Sequence, residues 1–355
     1  MIKNIGRRTV LKAGAFGLAA ASTSSMWRVG TANAAQGTLR IMDAGGVWED
    51  AAKKAFYEPF QAASGINVQY ASGLVGSIAQ LKAMVDTGVI EWDIIDLSMP
   101  NLIAAGEAGL LEPIDYSEID TAGWTPGSTT KYGFGFTWNA HLMSYNTEKY
   151  TGDNVPKTPA DFWDFDKFPG KRSLGDRPFG TLQFALLADG VEPEKLIPLD
   201  FERAFKKLDA IKDRIQWWTA FAQQTQFLID REVDMIAGYS GRFQSAIDKG
   251  APYAIAWDKG LLGVEGWGIP KGSPNRKAAQ EFLKFCARAK AQAAFSSMMG
   301  FGPSNPKAFD DMDPARARQM PNHPDHLKGM VIRDSAWIGQ NASLMTDKWQ
   351  EWKLT

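Results

Sequence analysis

Strand-like and helix-like patterns alternate along the chain from residue 38, and that alternation restricts the fold more than any other feature. Thr38-Leu39-Arg40-Ile41-Met42 reads as a strand that stops at Asp43-Ala44-Gly45-Gly46. Ala51, Ala52, Ala55, Phe56 and Phe60 then recur at helical spacing. Ile66 to Tyr70 alternates with period two behind the punctuation Ser64-Gly65, and Leu74 to Val85 is amphipathic. Trp92-Asp93-Ile94-Ile95-Asp96 is a short buried strand, and Pro100 opens a further helix through Ala105. A βαβαβ order needs helical crossovers between parallel strands, so it predicts a sheet with helices on both faces.

The pattern then changes and resumes. Residues 150–180 are rich in Asp, Pro, Gly and aromatics, after which helices are expected near 181–189, 200–212 and 221–230. Val233 to Ala237 reads as a strand entering the loop Gly238-Tyr239-Ser240-Gly241-Arg242. Tyr253 to Ala256 reads as another, leading into a glycine-rich crossing over 260–268. Ala279, Phe282, Leu283, Cys286, Ala289 and Ala293 line one face of a single helix expected over Arg276 to Met299. With 355 residues there is chain enough for two cores.

Charge separates the N-terminus from the rest. The first 34 residues carry five basic groups (Lys3, Arg7, Arg8, Lys12, Arg28) and no acid, which leaves 34 basic and 40 acidic residues beyond them. Paired arginines, a mild apolar stretch from Ala13 to Ala21 and Ala32-Asn33-Ala34 read as an export signal of the twin-arginine kind, cleaved after Ala34. The expected address is the periplasm. The acidic remainder argues against nucleic-acid binding, which needs a basic footprint. One cysteine, Cys286, excludes an internal disulfide and a thiolate metal cage.

Catalytic motifs are not legible. The sequence has no nucleophile elbow, no phosphate-binding Gly-Lys-Ser/Thr loop and no helical His-Glu-x-x-His. Gly133-Phe134-Gly135 is too short for a dinucleotide fingerprint, and His323 with His326 forms a lone pair in a proline-rich stretch. No enzyme activity, metal or cofactor is expected. Tryptophan says more. Trp48, Trp138, Trp217, Trp218, Trp257, Trp267 and Trp337 lie beside glycines or at strand ends, and several together could wall a cleft for an alkyl chain or an ammonium.

Taken with these features, several segments resemble the substrate-binding proteins of ABC importers, in particular the spermidine/putrescine-type subgroup. They are Tyr145-Asn146-Thr147, Gly266-Trp267-Gly268-Ile269-Pro270 with Ser273-Pro274-Asn275, Gly300-Phe301-Gly302-Pro303-Ser304-Asn305, and the terminal Trp349-Gln350-Glu351-Trp352. The resemblance implies an α/β periplasmic-binding-protein fold of type II, with two lobes, each a mixed sheet flanked by helices, and a ligand cleft between them. Lobe 1 is expected over 36–144 plus 264–308, and lobe 2 over 145–263 plus 309–355. It also implies a monomer that delivers a small organic solute to an inner-membrane ABC permease, closing on hinges near Ser144–Thr147 and Gly260–Gly266.

Carried over by position, the resemblance implies a ligand site that departs from the polyamine pattern. Trp48 supplies the first aromatic, Ser98 matches a family serine, and Pro100 stands where a tyrosine is usual. Arg177 and Gly180 replace two acids, with Asp176 adjacent. Tyr239 lies where a tryptophan is replaced, Glu265 keeps an acid, and Phe301 replaces a tyrosine. Arg242 could add a second positive contact, and Trp138, Trp267 and Trp337 complete the candidate ligand residues. Arginine repels a polyamine but pairs a carboxylate through parallel N–H bonds. With Glu265 for an ammonium, the pocket suggests a zwitterion such as 4-aminobutyrate, with putrescine or spermidine as the other choice. Arg177 and Arg242 could instead pair with Asp176 or Asp248 on the surface. Two rival functions are a periplasmic enzyme acting on a small amine or sugar, and a ferric-ion-binding transport protein; the latter is disfavoured because the last tyrosine is Tyr253.

Overall fold

A computed structural model describes residues 27–29, 37–71 and 77–354. These form a two-lobed α/β fold. Strands β2 (Thr38–Met42) and β3 (Asn67–Ala71) are parallel and in register from Thr38 opposite Asn67 to Met42 opposite Ala71. The connection between them is helical from Gly46 to Ser64, with a π-helical stretch over Lys53–Tyr57. It buries Ala51, Ala52, Ala55, Phe56 and Phe60, the face read from the sequence. The export-signal expectation for residues 1–34 lies outside the described residues except at Trp27–Val29, which forms β1, antiparallel to β3.

Two long strands join the lobes. β6 (Phe134–Asn146) and β10 (Tyr253–Pro270) run antiparallel for most of their length. At one end β10 also pairs with β4 (Ile95–Ser98), placing Glu265 opposite Ser98, and with β5 (Leu111–Glu112). At the other end β6 pairs with β9 (Met235–Tyr239), which continues in parallel to β7 (Arg172–Gly175) and β8 (Ile215–Trp218). Short strands β11 (Gly302–Pro303) and β12 (Val331–Ile332) add to β6 and β10. One core, around Leu39, Phe56, Phe136, Trp267 and Phe282, belongs to the first lobe. Another, around Phe162, Leu174, Phe184, Leu208 and Trp349, belongs to the second.

Two expectations change. The strand at 253–256 and the glycine-rich crossing after it are one 18-residue strand. The helix expected over 276–299 is two, Arg276–Cys286 and Ala289–Met299, because Arg288 is extended. The carbonyls freed at that break are not left bare. Gln292 donates to Cys286 O at 3.3 Å and Asn305 to Ala287 O at 3.0 Å, as helix ends require. Near the expected lobe boundary at residue 308, Met312, Ala317 and Met320 share a small core with Ala308 and with Ala293 of the second of these helices. The C-terminal helix Ser335–Lys353 buries Met345 and Trp349 in the second lobe, while Gly339 lies against the Pro100 carbonyl of the first. No helix among the described residues is long and apolar enough to cross a membrane.

Candidate functional site

Strand ends of the two lobes present side chains of opposite charge, which form two candidate walls. On the first wall, Asp43 follows β2, Asp96 lies in β4 and Glu265 in β10. Asp43 accepts from the Gly45 N–H at 2.7 Å and from the Tyr57 hydroxyl. Asp96 accepts from the indoles of Trp267 and Trp48, and Asn139 Nδ2 donates to Glu265 Oε1 at 3.1 Å. Burial raises all three carboxyls above their usual range. Asp96 is raised furthest, because Glu265 and Asp43 also repel its charge. Among the described residues none of the three makes a salt bridge to lysine or arginine, and only Glu265 feels a nearby cation, Arg333, which partly offsets its rise. An ammonium brought here would relieve that repulsion.

The second wall is cationic. Arg177 follows β7, its guanidinium 4.2 Å from the Phe221 ring centroid and 4.8 Å from that of Trp218, with Nη2 donating to Thr219 O at 3.0 Å. Arg333 follows β12, its backbone N–H donating to Leu262 O at 3.0 Å. Its guanidinium occupies the space over Gly263 that any larger residue there would fill. The Nε atoms of Arg177 and Arg333 are both buried without an acceptor. Between the arginines lies His141, fully buried on β6, with edge-on ring contacts to Tyr239 at 5.4 Å and Phe184 at 5.8 Å. Burial, reinforced by Arg333 and Arg177, pushes its pKa down to about 3, so the ring is neutral at physiological pH.

The expected site residues divide accordingly. Trp48 and Glu265 border the acidic group through Asp96 and Asn139, while Arg177 and Tyr239 share the rings of Trp218 and Phe221. Phe301 meets Trp48 edge-on at 5.8 Å and abuts Gly241 across from it, so the lobes touch there. Ser98 begins the helix Met99–Glu107 without capping it by its hydroxyl. Arg242 is exposed on the helix Ser240–Ile247. Neither surface pairing holds, because Asp176 is taken by Lys353 and Trp349, and Asp248 by Arg316.

Most other tryptophans pack. Trp267 stacks on Phe136 at 3.8 Å and reaches the site only through its N–H to Asp96. Trp138 is enclosed, its indole donating to Ser128 and Ser304, both at 3.0 Å. Trp337 packs on the second core, Trp217 against Trp349, and Trp257 on His326 at 4.2 Å. His323 caps the following turn through Asp325 N, so that histidine pair is structural. Among the described residues no group of three His, Cys, Asp or Glu is arranged to hold a metal.

Sequence reasoning missed Asp43, Asp96, Asn139, His141 and Arg333. Asp96 closing a buried strand was a usable signal. Arg333 had none, since Val331-Ile332 is too short to read as a strand.

Residues 55–322 match the family of bacterial extracellular solute-binding proteins. The chain belongs to this family. The solute-binding protein is 33% identical over 341 residues to the gamma-aminobutyric acid-binding protein of Pseudomonas aeruginosa, covering 93% of this chain and 96% of that one. Among solved structures it resembles a GABA receptor, with 33% identity, a TM-score of 0.82, and 89% and 97% of the two chains covered. It also resembles an ABC transporter substrate-binding protein of Bradyrhizobium japonicum, with 33% identity, a TM-score of 0.83, and 89% and 99% covered.

Proposed function

We propose that this solute-binding protein captures a small zwitterion of the 4-aminobutyrate type and delivers it to the membrane permease of an ABC importer. The observation that carries the reading is the pairing of walls. Buried carboxyls with no cation acting on them (Asp43, Asp96), and Glu265 with only Arg333 nearby, stand with guanidinium Nε atoms that lack an acceptor (Arg177, Arg333). A solute with an ammonium at one end and a carboxylate at the other satisfies both, and Trp48 and Phe301 flank its methylenes. Each hydrogen bond to a charged group contributes roughly 1.5–3 kcal/mol, which favours the zwitterion over a diamine at the arginine wall. The relatives that bind gamma-aminobutyrate support this choice.

Binding closes the lobes about β6 and β10, the two strands they share, and the closed form docks on the permease as a monomer. Closure is favoured to the extent that solute binds the closed form better. Export through residues 1–34 with cleavage after Ala34 belongs to the same proposal, and N-terminal sequencing of periplasmic protein tests it. Calorimetry with 4-aminobutyrate, putrescine and spermidine tests the ligand. 4-Aminobutyrate should bind tightest; putrescine binding that is tighter and survives Arg177→Ala overturns the reading.

A further inference from the structure

His141 is wholly enclosed, yet neither ring nitrogen has a hydrogen-bond partner. Buried polar atoms are nearly always paired, so the exception needs a reason. Its neighbours restrict what the partner can be. The ring lies against Gly180, where a Cβ would come within 2.7 Å of Cδ2. Gly180 is the residue before the helix Thr181–Ala188, whose N-terminal end carries partial positive charge. Arg177 and Arg333 approach near enough for both to act on its charge. Phe184 and Tyr239 meet it edge-on. The charged groups facing the ring are therefore both guanidinium donors, and such surroundings exclude a cationic partner and suit an anionic one. A neutral imidazole keeps one N–H to donate.

We propose that His141 donates its ring N–H to the carboxylate of the bound solute, forming with Arg333 and Arg177 the subsite that selects for that carboxylate. The inference rests on the zwitterion reading and adds a contact residue that no motif marks. In the bound state the ring nitrogen and the guanidinium Nε atoms gain acceptors together. The second ring nitrogen keeps its lone pair, so the site need take up no proton.

The test combines calorimetry with 15N spectra of the histidine ring in full-length mature protein. His141→Phe should weaken 4-aminobutyrate binding roughly 10- to 100-fold, the loss of one charged hydrogen bond, while n-butylamine, which lacks the carboxylate, changes less than about 2-fold. His141→Gln, which offers an amide N–H, should recover most of the loss. The imidazole 15N signals of the wild-type protein should shift on saturation with 4-aminobutyrate and keep the pattern of a neutral ring. Equal losses for both ligands would assign His141 a packing role and overturn the proposal, as would ring signals that do not move. If 4-aminobutyrate binds and depends on Arg333 but not on His141, this inference alone fails. If putrescine binds in its place, the zwitterion reading fails and this one with it.

Discussion

The two walls of the cleft solve the cost of buried charge in different ways. The carboxyls of Asp43, Asp96 and Glu265 are raised by burial and so can shed their charge by taking protons. The guanidiniums of Arg177 and Arg333 have no such escape at any physiological pH. Arg177 is instead propped between two aromatic rings and a carbonyl, and Arg333 is let in by a glycine, each with one nitrogen still unmet. The acid wall adapts to an empty cleft, whereas the basic wall waits for an acceptor. Recognition of the carboxylate should therefore be nearly independent of pH, and recognition of the amine should not.

The sharpest way to break this contrast is Arg333→Ala. It removes a half-buried guanidinium from the subsite, and 4-aminobutyrate affinity should fall by about 100-fold, in the range seen when one partner of a hydrogen-bonded charge pair is truncated. The free protein loses an Nε without an acceptor but also the guanidinium that offsets the Glu265 charge, so its melting temperature should change little. Calorimetry and a melting curve on one preparation read both. A drop in stability with unchanged affinity would make Arg333 a structural residue and remove the basic wall. Glu265→Gln probes the opposite side and should cost less, about 10-fold, since Asp96 remains to meet the ammonium.

The pH dependence tests the adaptive wall directly. Asp96 and Glu265 have folded pKa values raised above those of the unfolded chain, about 3.9 and 4.3. The folded, empty protein thus holds more protons than the unfolded chain between those limits, and its stability falls as pH rises through the folded values. An ammonium favours the ionised carboxylates, so binding releases protons and strengthens as pH rises through the same window. The rise in melting temperature caused by 4-aminobutyrate should be larger at pH 8 than at pH 5. An equal shift at both would mean that the acids do not hold the amine. His141 acts in the opposite sense. Its pKa is depressed to about 3, so stability is lost as pH drops below the unfolded value near 6.5, and that acid-side slope should flatten in His141→Phe.

How legible each wall was in the sequence follows from how its residues are brought in. Arg177 and Glu265 sit at segments with recognisable surroundings, Arg177 after β7 and Glu265 in β10, opposite Ser98. Arg333 arrives through a two-residue strand paired with Leu261 and Leu262, about 70 positions away in the chain, a contact no local pattern encodes. His141 lies in a 13-residue strand whose neighbours are apolar, so it reads as core. The tryptophans fail for a related reason. Trp138 and Trp267 lie on strands buried on both faces, where alternation no longer tells core from cleft. The fold itself was readable, because strand and helix periodicity survives burial even where facing does not.

The smallest expected effect concerns the seam between the walls. Phe301 belongs to neither charge group; its ring meets Trp48 edge-on and touches Gly241 of the opposite lobe. That second contact exists only while the lobes are together, so Phe301→Ala should destabilise the closed form without altering either wall. An aromatic contact of this kind is worth about 1 kcal/mol, or roughly 5-fold in affinity. The loss should fall mainly on the rate of solute release, read by stopped-flow tryptophan fluorescence, since weakened closure shortens the bound lifetime. The preference for 4-aminobutyrate over n-butylamine should stay as in the wild type, because both ligands close the same seam. A changed preference would place Phe301 within one of the walls and end the separation between recognition by charge and retention by closure.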